Sequence, residues 1–150
     1  MNDVDRKIIG LLAEDARRAL ADIGGTVGLS ASAVNERIRR LVAEGAIRGF
    51  TVDAAPEALG LPVLAFVFVA LAQGSDEAGF RHFVAAQAAI LECHHVTGGW
   101  SYLVKIRVAD LGGVEAFLAA LKHAGYVGRS ETMIVLSSPV GDAFVPREAS

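Results

Sequence analysis

Gly28-Leu29-Ser30-Ala31-Ser32-Ala33-Val34-Asn35-Glu36-Arg37-Ile38-Arg39-Arg40-Leu41 holds a turn, a cap and a two-faced helix in one run. Gly-Leu-Ser makes a tight turn, and the Ser30 hydroxyl is placed to accept from a free N–H at the start of a helix. Val34, Ile38 and Leu41 then recur at i, i+4 and i+7 and form a single apolar stripe. At about 100° per residue, Ser32, Glu36 and Arg39 fall on the opposite face, flanked by Asn35 and Arg40. A short helix with one apolar edge and an outward face of Ser, Asn, Glu and Arg suits the major groove of double-stranded DNA. The stretch predicts the recognition helix of a helix-turn-helix, running from Ala31 to Glu44 and stopped at Gly45.

Upstream, Asn2 or Asp3 caps a first helix with Val4, Ile8, Leu11 and Leu12 at helical spacing, ended by Glu14-Asp15. A second helix spans 20–27 with Leu20, Ile23 and Val27 as its apolar edge. Gly24 and Gly25 weaken it by up to about 1 kcal/mol each, which close packing against the next helix would offset. Three helices with a glycine-containing turn before the last follow the trihelical plan. Downstream, 46–52 reads as a strand through Ile47, Phe50 and Val52, and 53–60 as a connector with one helical turn begun by Pro56.

The second half alternates strands at 63–72, 90–97, 102–108 and 133–136 with helices at 77–88 and 114–124. The order βαββαβ predicts a four-stranded antiparallel sheet with both helices on one face, the ferredoxin-like arrangement. Ala65-Phe66-Val67-Phe68-Val69 is apolar at every position, so this strand is expected to be buried on both faces. The open face of the sheet is therefore expected to be a homodimer interface. The fold class is α+β: a winged-type helix-turn-helix domain over 1–54, a linker over 55–62 and the ferredoxin-like domain over 63–150.

Composition narrows the function classes. With 53% hydrophobic and 21% charged residues among 150, the chain is globular rather than disordered. Its longest apolar run, 61–72, is too short for a membrane helix and contains Pro62. The start of the chain lacks a signal-peptide plan, and a lone cysteine, Cys93, fits a reducing compartment, so a cytoplasmic location is expected. Net charge is −3, which by itself does not mark a nucleic-acid binder. The local pattern is more informative. The first 53 residues balance eight basic against eight acidic side chains, and four of the basic ones lie between Arg37 and Arg48. Phosphate contact depends on such local concentration.

These elements in this order resemble the leucine-responsive/asparagine (Lrp/AsnC) family of transcription factors. The resemblance is carried by Asp5-Arg6-Lys7-Ile8-Ile9, Val27-Gly28-Leu29-Ser30, Glu36 to Leu41, Glu44 to Phe50 and Leu59-Gly60. In the second domain, Val96-Thr97-Gly98, Tyr102 and Thr132 to Leu136 carry it. It implies a regulator that dimerises through its C-terminal domains and builds larger rings such as octamers. It also implies that a small effector, typically an amino acid, binds between those domains. The family's effector loop reads Gly-x-x-Asp-Tyr, whereas here it is Gly98-Gly99-Trp100-Ser101-Tyr102. The hydroxyl at Ser101 is shorter and neutral where a carboxylate could fix an ammonium. The effector-binding candidates are Gly98, Gly99, Ser101, Tyr102, Ser130 and Thr132.

For DNA, Ser30, Ser32, Asn35, Glu36, Arg39, Arg40 and Arg48 are the candidates. Arg39 suits guanine, Asn35 adenine and Glu36 the cytosine amino group. Arg40 and Arg48 are assigned to phosphates, and Arg37, nearer the apolar edge, to the fold. The competing account of the same helix is a solvated face with a Glu36–Arg40 pair at i, i+4. His94 and His95, adjacent on a strand, point to opposite faces and cannot chelate one metal together. Trp100 reads as an interface anchor. No nucleophile–base constellation stands out, and no cofactor, metal or catalytic residue is expected. Two other readings stay open. One is an enzyme like the sirohaem decarboxylases, which are similar in fold, with His94, His95 and Arg107 cast in that role. The other is a ligand-sensing module whose helix-turn-helix serves only assembly.

Overall fold

A computed structural model describes residues 1–147, as two compact units: Met1–Thr51 and the chain from Val52 onward. The first unit is three helices, α1 (Asp3–Glu14), α2 (Leu20–Val27) and α3 (Ala31–Ala43). Asn2 caps α1 through a reciprocal box: its side chain accepts from the Asp5 N–H at 2.9 Å, and Asp5 accepts from the Asn2 N–H at 3.2 Å. Ile8, Leu12, Ile23 and Val34 bury their side chains together, with Ile38 and Ile47 against them. All but Ile47, which follows α3, come from the stripe that their helical spacing defines.

Gly24 is the close approach that joins α2 to the turn. A Cβ there would stand 2.4 Å from the Leu29 carbonyl oxygen. The contact is with the turn rather than with the next helix, and Gly25 has open space around it. Gly28 takes φ +73°, the left-handed conformation that ends a helix at little cost for glycine.

The strand expected over 46–52 does not form. After α3 the Ile47 N–H returns to the Leu41 carbonyl at 3.0 Å, and residues 48–53 have no regular structure. An extended segment needs a neighbouring strand to pair its backbone groups, and none lies beside it among the described residues. Phe50 and Val52 are consequently 56% and 68% exposed. The single turn begun by Pro56 is present as a 3₁₀ turn, Glu57–Leu59.

The second unit runs β1 (Val63–Leu71), α4 (Glu77–Ala85), β2 (Ile90–His95), β3 (Tyr102–Val108), α5 (Leu111–His123) and β4 (Val127–Ile134). The sheet is antiparallel throughout, in the order β2-β3-β1-β4. β1 lies at its centre, with Val67 opposite Val104 on β3 and opposite Thr132 on β4. Ala65, Val67 and Val69 are buried with Tyr102, Val104 and Ile106 beneath Phe80 of α4 and Phe117 and Leu121 of α5. The alternate residues Leu64, Phe66 and Phe68 face the other way and are half-buried. β4 starts six residues earlier than its apolar pattern suggests, because it is an edge strand and Gly128-Arg129-Ser130-Glu131 is polar.

Candidate functional site

The outward face of α3 is held from behind by a buried carboxylate. Asp5 is 1% exposed, on the same helical stripe of α1 as Ile8 and Leu12. Its Oδ1 accepts from Arg37 Nη1 at 2.8 Å, and Arg40 Nη2 donates to both oxygens at 3.2 and 3.0 Å. With the Asn2 N–H, three residues supply its donors, as a buried charge requires. The hydrogen bond from Arg37, together with the Asn2 bond and the charge of Arg40, holds this carboxyl below the ordinary range against the opposing effect of burial.

Arg40 therefore lies elsewhere than a pure phosphate role implies. Its guanidinium joins α3 to α1 and comes within 3.8 Å of Glu44. The Glu36–Arg40 pair of the competing reading is not made. Ser30 is the cap, accepting from the Ala33 N–H at 3.2 Å, and its hydroxyl stands 3.1 Å from that of Ser32. Ser32, Asn35, Glu36, Arg39 and Arg48 are all exposed. Among the described residues, the side chains of Asn35, Glu36, Arg39 and Arg48 engage no hydrogen-bond or ionic partner. The result is a row of unsatisfied donors and acceptors on a rigid support.

The loop between β2 and β3 has a different character. Gly98, Gly99, Ser130 and Thr132 stand at the surface, Thr132 less fully than the others. Ser101 is occupied internally: its Oγ accepts from the Leu71 N–H at 3.2 Å and its N–H donates to the Val69 carbonyl at 2.7 Å. Tyr102 is buried, stacked with His95 at 4.9 Å, and its hydroxyl donates to Glu77 at 2.5 Å while accepting from Arg81 Nε at 2.7 Å. Both residues brace the loop. Ser130 and Thr132 pair across from Val69 and Val67 and so share the helix-bearing side of the sheet. Sequence reasoning missed Arg129. It points to the open side, donates to the Gly99 carbonyl at 2.7 Å and lies 4.0 Å from the centre of the Trp100 ring. Trp100 in turn packs on Phe68.

A cleft of about 370 Å³ between α4 and β2 is lined by Arg81, Val84, Ile90, Cys93, Tyr102 and Arg147 among others. Burial pushes the Cys93 thiol up, so at neutral pH it is a packing residue rather than a nucleophile. The Tyr102 hydrogen bond, with the charge of Arg81, draws the Glu77 carboxyl down, keeping it ionised against its neighbours. His94 pairs with Glu92 at 2.9 Å on the open face, while His95 lies on the helix-bearing face. Arg107 is bonded to the Leu61 carbonyl. The three side chains of the enzyme reading are thus committed to separate partners. Among the described residues no group of three or more His, Cys, Asp or Glu is placed to hold a metal ion. None of the described helices is long and apolar enough to cross a membrane.

Comparison with known proteins agrees with this arrangement. Residues 1–42 match the model of the AsnC-type helix-turn-helix domain, and residues 64–143 match that of the Lrp/AsnC ligand binding domain. The chain is 33% identical over 138 residues to the HTH-type transcriptional regulator FL11 of Pyrococcus abyssi, covering 92% of this chain and 91% of that one. It is 36% identical over 140 residues to the leucine-responsive regulatory protein of Salmonella typhimurium, covering 91% and 85%. Its fold is similar, with a TM-score of 0.89 at 23% identity, to the transcriptional regulator NMB0573 of Neisseria meningitidis, solved as its L-Met complex. That match covers 98% of this chain and 96% of the other.

Proposed function

Because the chain belongs to the Lrp/AsnC family of transcriptional regulators, we propose that it reads duplex DNA with α3 as a homodimer and answers to a small amino-acid effector. The observation that carries the DNA assignment is the exposed row Ser32, Asn35, Glu36 and Arg39, the last three without a partner among the described residues, on a helix anchored by Asp5. Arg39 takes a base edge, bidentate to guanine; Asn35 and Glu36 read adenine and cytosine. Arg48 holds a phosphate. Arg40 positions the helix through Asp5 and offers the phosphate backbone only its remaining edge. Two-fold symmetry then gives a palindromic operator with half-sites about one helical turn, or a multiple of it, apart.

The effector assignment draws on the likeness to a fold solved with L-Met and on the exposed Gly98-Gly99 loop. With Ser101 and Tyr102 supporting the loop from inside, its open backbone N–H groups and the hydroxyls of Ser130 and Thr132 are the ligand contacts. The second copy covers the open sheet face of Phe66, Phe68, Leu103 and Met133, and the family's larger rings would be assembled from such dimers. The protein is a cytoplasmic regulator with no catalytic step.

Selection of bound duplexes from a random pool tests the reader helix. Arg39→Ala should relax preference at one base position by about 1–3 kcal/mol. Arg48→Ala should weaken all sequences alike and lower the salt slope by about one. If both variants recovered the wild-type site with wild-type affinity, α3 would not be the reader. Repeating the selection with a panel of amino acids, L-Met included, tests the effector.

A further inference from the structure

We propose that the C-terminal segment is a clasp that takes the connector into the ligand-binding unit, making Phe144 and Asp53 positioning residues for DNA reading. The inference rests on the assignment of α3 as the reader only for its effect on DNA. After β4 the chain has no regular structure as far as 147, yet Phe144 is 4% exposed. A ring in an irregular segment stays buried only where something holds it. The Arg107 guanidinium lies 5.4 Å from its centre, and Leu64 and Leu91 line the same recess.

Its backbone is held as firmly. The Phe144 N–H donates to Asp53 Oδ1 at 2.8 Å, and the Ala54 N–H donates to the Phe144 carbonyl at 2.8 Å. These two bonds tie the start of the connector to the tail. Arg107 ties the other end, donating from Nη1 to the Leu61 carbonyl at 3.3 Å. Between them the 3₁₀ turn consumes the slack, with the Leu61 N–H bonded to the Pro56 carbonyl at 2.8 Å. Beyond Phe144, Arg147 donates to the Ala85 carbonyl at 3.1 Å and to that of Ile90. Asp53, Phe144 and Arg147 all lie outside the two stretches that match the family models, 1–42 and 64–143.

The consequence is a short tether. A connector running freely from Arg48 to Pro62 would span up to about 50 Å, at roughly 3.3–3.6 Å per residue. With 53–62 held by the clasp, only 48–52 is free, and its reach is about 17 Å. The spacing of two readers in a dimer is restricted accordingly.

The experiment uses the full chain and compares wild type, Asp53→Ala, which touches no core side chain, and Phe144→Ala. Trypsin reports the free tether at Arg48, and endoproteinase Glu-C reports the clasped turn at Glu57. Wild type should be cut at Arg48 and resist at Glu57. Both variants should be cut at Glu57 about tenfold faster or more, because cleavage follows the opened population, while amide protection of β1 and β3 is retained. Glu57 cut as readily as Arg48 in wild type, or equal Glu57 rates in all three proteins, would overturn the clasp. If Phe144→Ala loses the sheet, Asp53→Ala alone decides. In random-pool selection the variants should recover the wild-type half-site with a broader spread of spacings. An unchanged spread beside faster Glu57 cutting would overturn the positioning role. Failure of wild type to select any site sinks the reader assignment, while the cleavage map still judges the clasp.

Discussion

A carboxylate 1% exposed behind α3 is stable only while its donors stay in place, and Asp5 has Arg37, Arg40 and the Asn2 N–H. Its carboxyl titrates below the ordinary value of about 3.9, chiefly through the Arg37 bond. The folded state thus binds this proton less readily than the unfolded chain. The resulting stabilisation is complete above the ordinary carboxylate range and drains away as pH falls through it toward the lower folded value. Wild type should therefore lose melting temperature for the α1 and α3 resonances between pH 7 and pH 3 more steeply than Asp5→Asn does, when followed by NMR. Parallel curves would show that the buried pair contributes no pH dependence. Exposed pairs such as Arg6–Asp3 and Arg18–Glu14 remain in both proteins and contribute little. Asp5 was legible in part. It repeats with Ile8 and Leu12, so an acid stands on an apolar stripe, but no spacing rule names partners 32 and 35 residues away.

At the scale of elements, what the periodicity made plain was whatever packs within its own unit. α2 and β3 run over the expected residues, and α1 and α3 match to within a residue at their ends. The discrepancies have physical causes. β4 extends over Val127–Ile134 because pairing with β1, rather than side-chain pattern, holds an edge strand. α5 begins at Leu111 because Asp110 caps it, accepting from the Gly113 N–H at 2.8 Å, although Gly112-Gly113 is a poor helix opening. In the turn between α2 and α3, Gly24 leaves no room for a side chain. Gly24→Ala should cost the first unit about 1–3 kcal/mol through displacement of the Leu29 backbone, and it should weaken DNA binding by moving Ser30. Gly25→Ala, in open space, should be neutral or stabilise α2 by up to about 1 kcal/mol. Chemical denaturation of the two variants separates these effects; equal midpoints would remove the close approach as the reason for Gly24.

At the scale of the molecule, the sheet has one face closed by α4 and α5 and one that the described chain covers only at its ends, by Phe144 beside Leu64 and by Trp100 on Phe68. The side chains that form it were readable in the unbroken apolar run 65–69, but the tail that borders it was not, since a lone phenylalanine in a segment without helix or strand carries no periodic signal. Phe66 stands on that face, opposite Lys105 and Met133, and Met133 is 46% exposed. Phe66 points away from the core of Val67 and Phe80, so a charge there leaves the single unit intact and acts only where a second copy meets it. Phe66→Glu should raise the dimer dissociation constant by about a hundredfold or more, the equivalent of roughly 2.7 kcal/mol, because an unpaired carboxylate would be buried in the joint. Sedimentation should then show half the wild-type mass at concentrations where wild type is dimeric, with the ellipticity of the fold unchanged. The same variant should lose its preference for paired half-sites and bind a palindrome no better than a single one. A variant that keeps the wild-type mass would place the second copy on another face, and the spacing of the two reader helices would have to be set there.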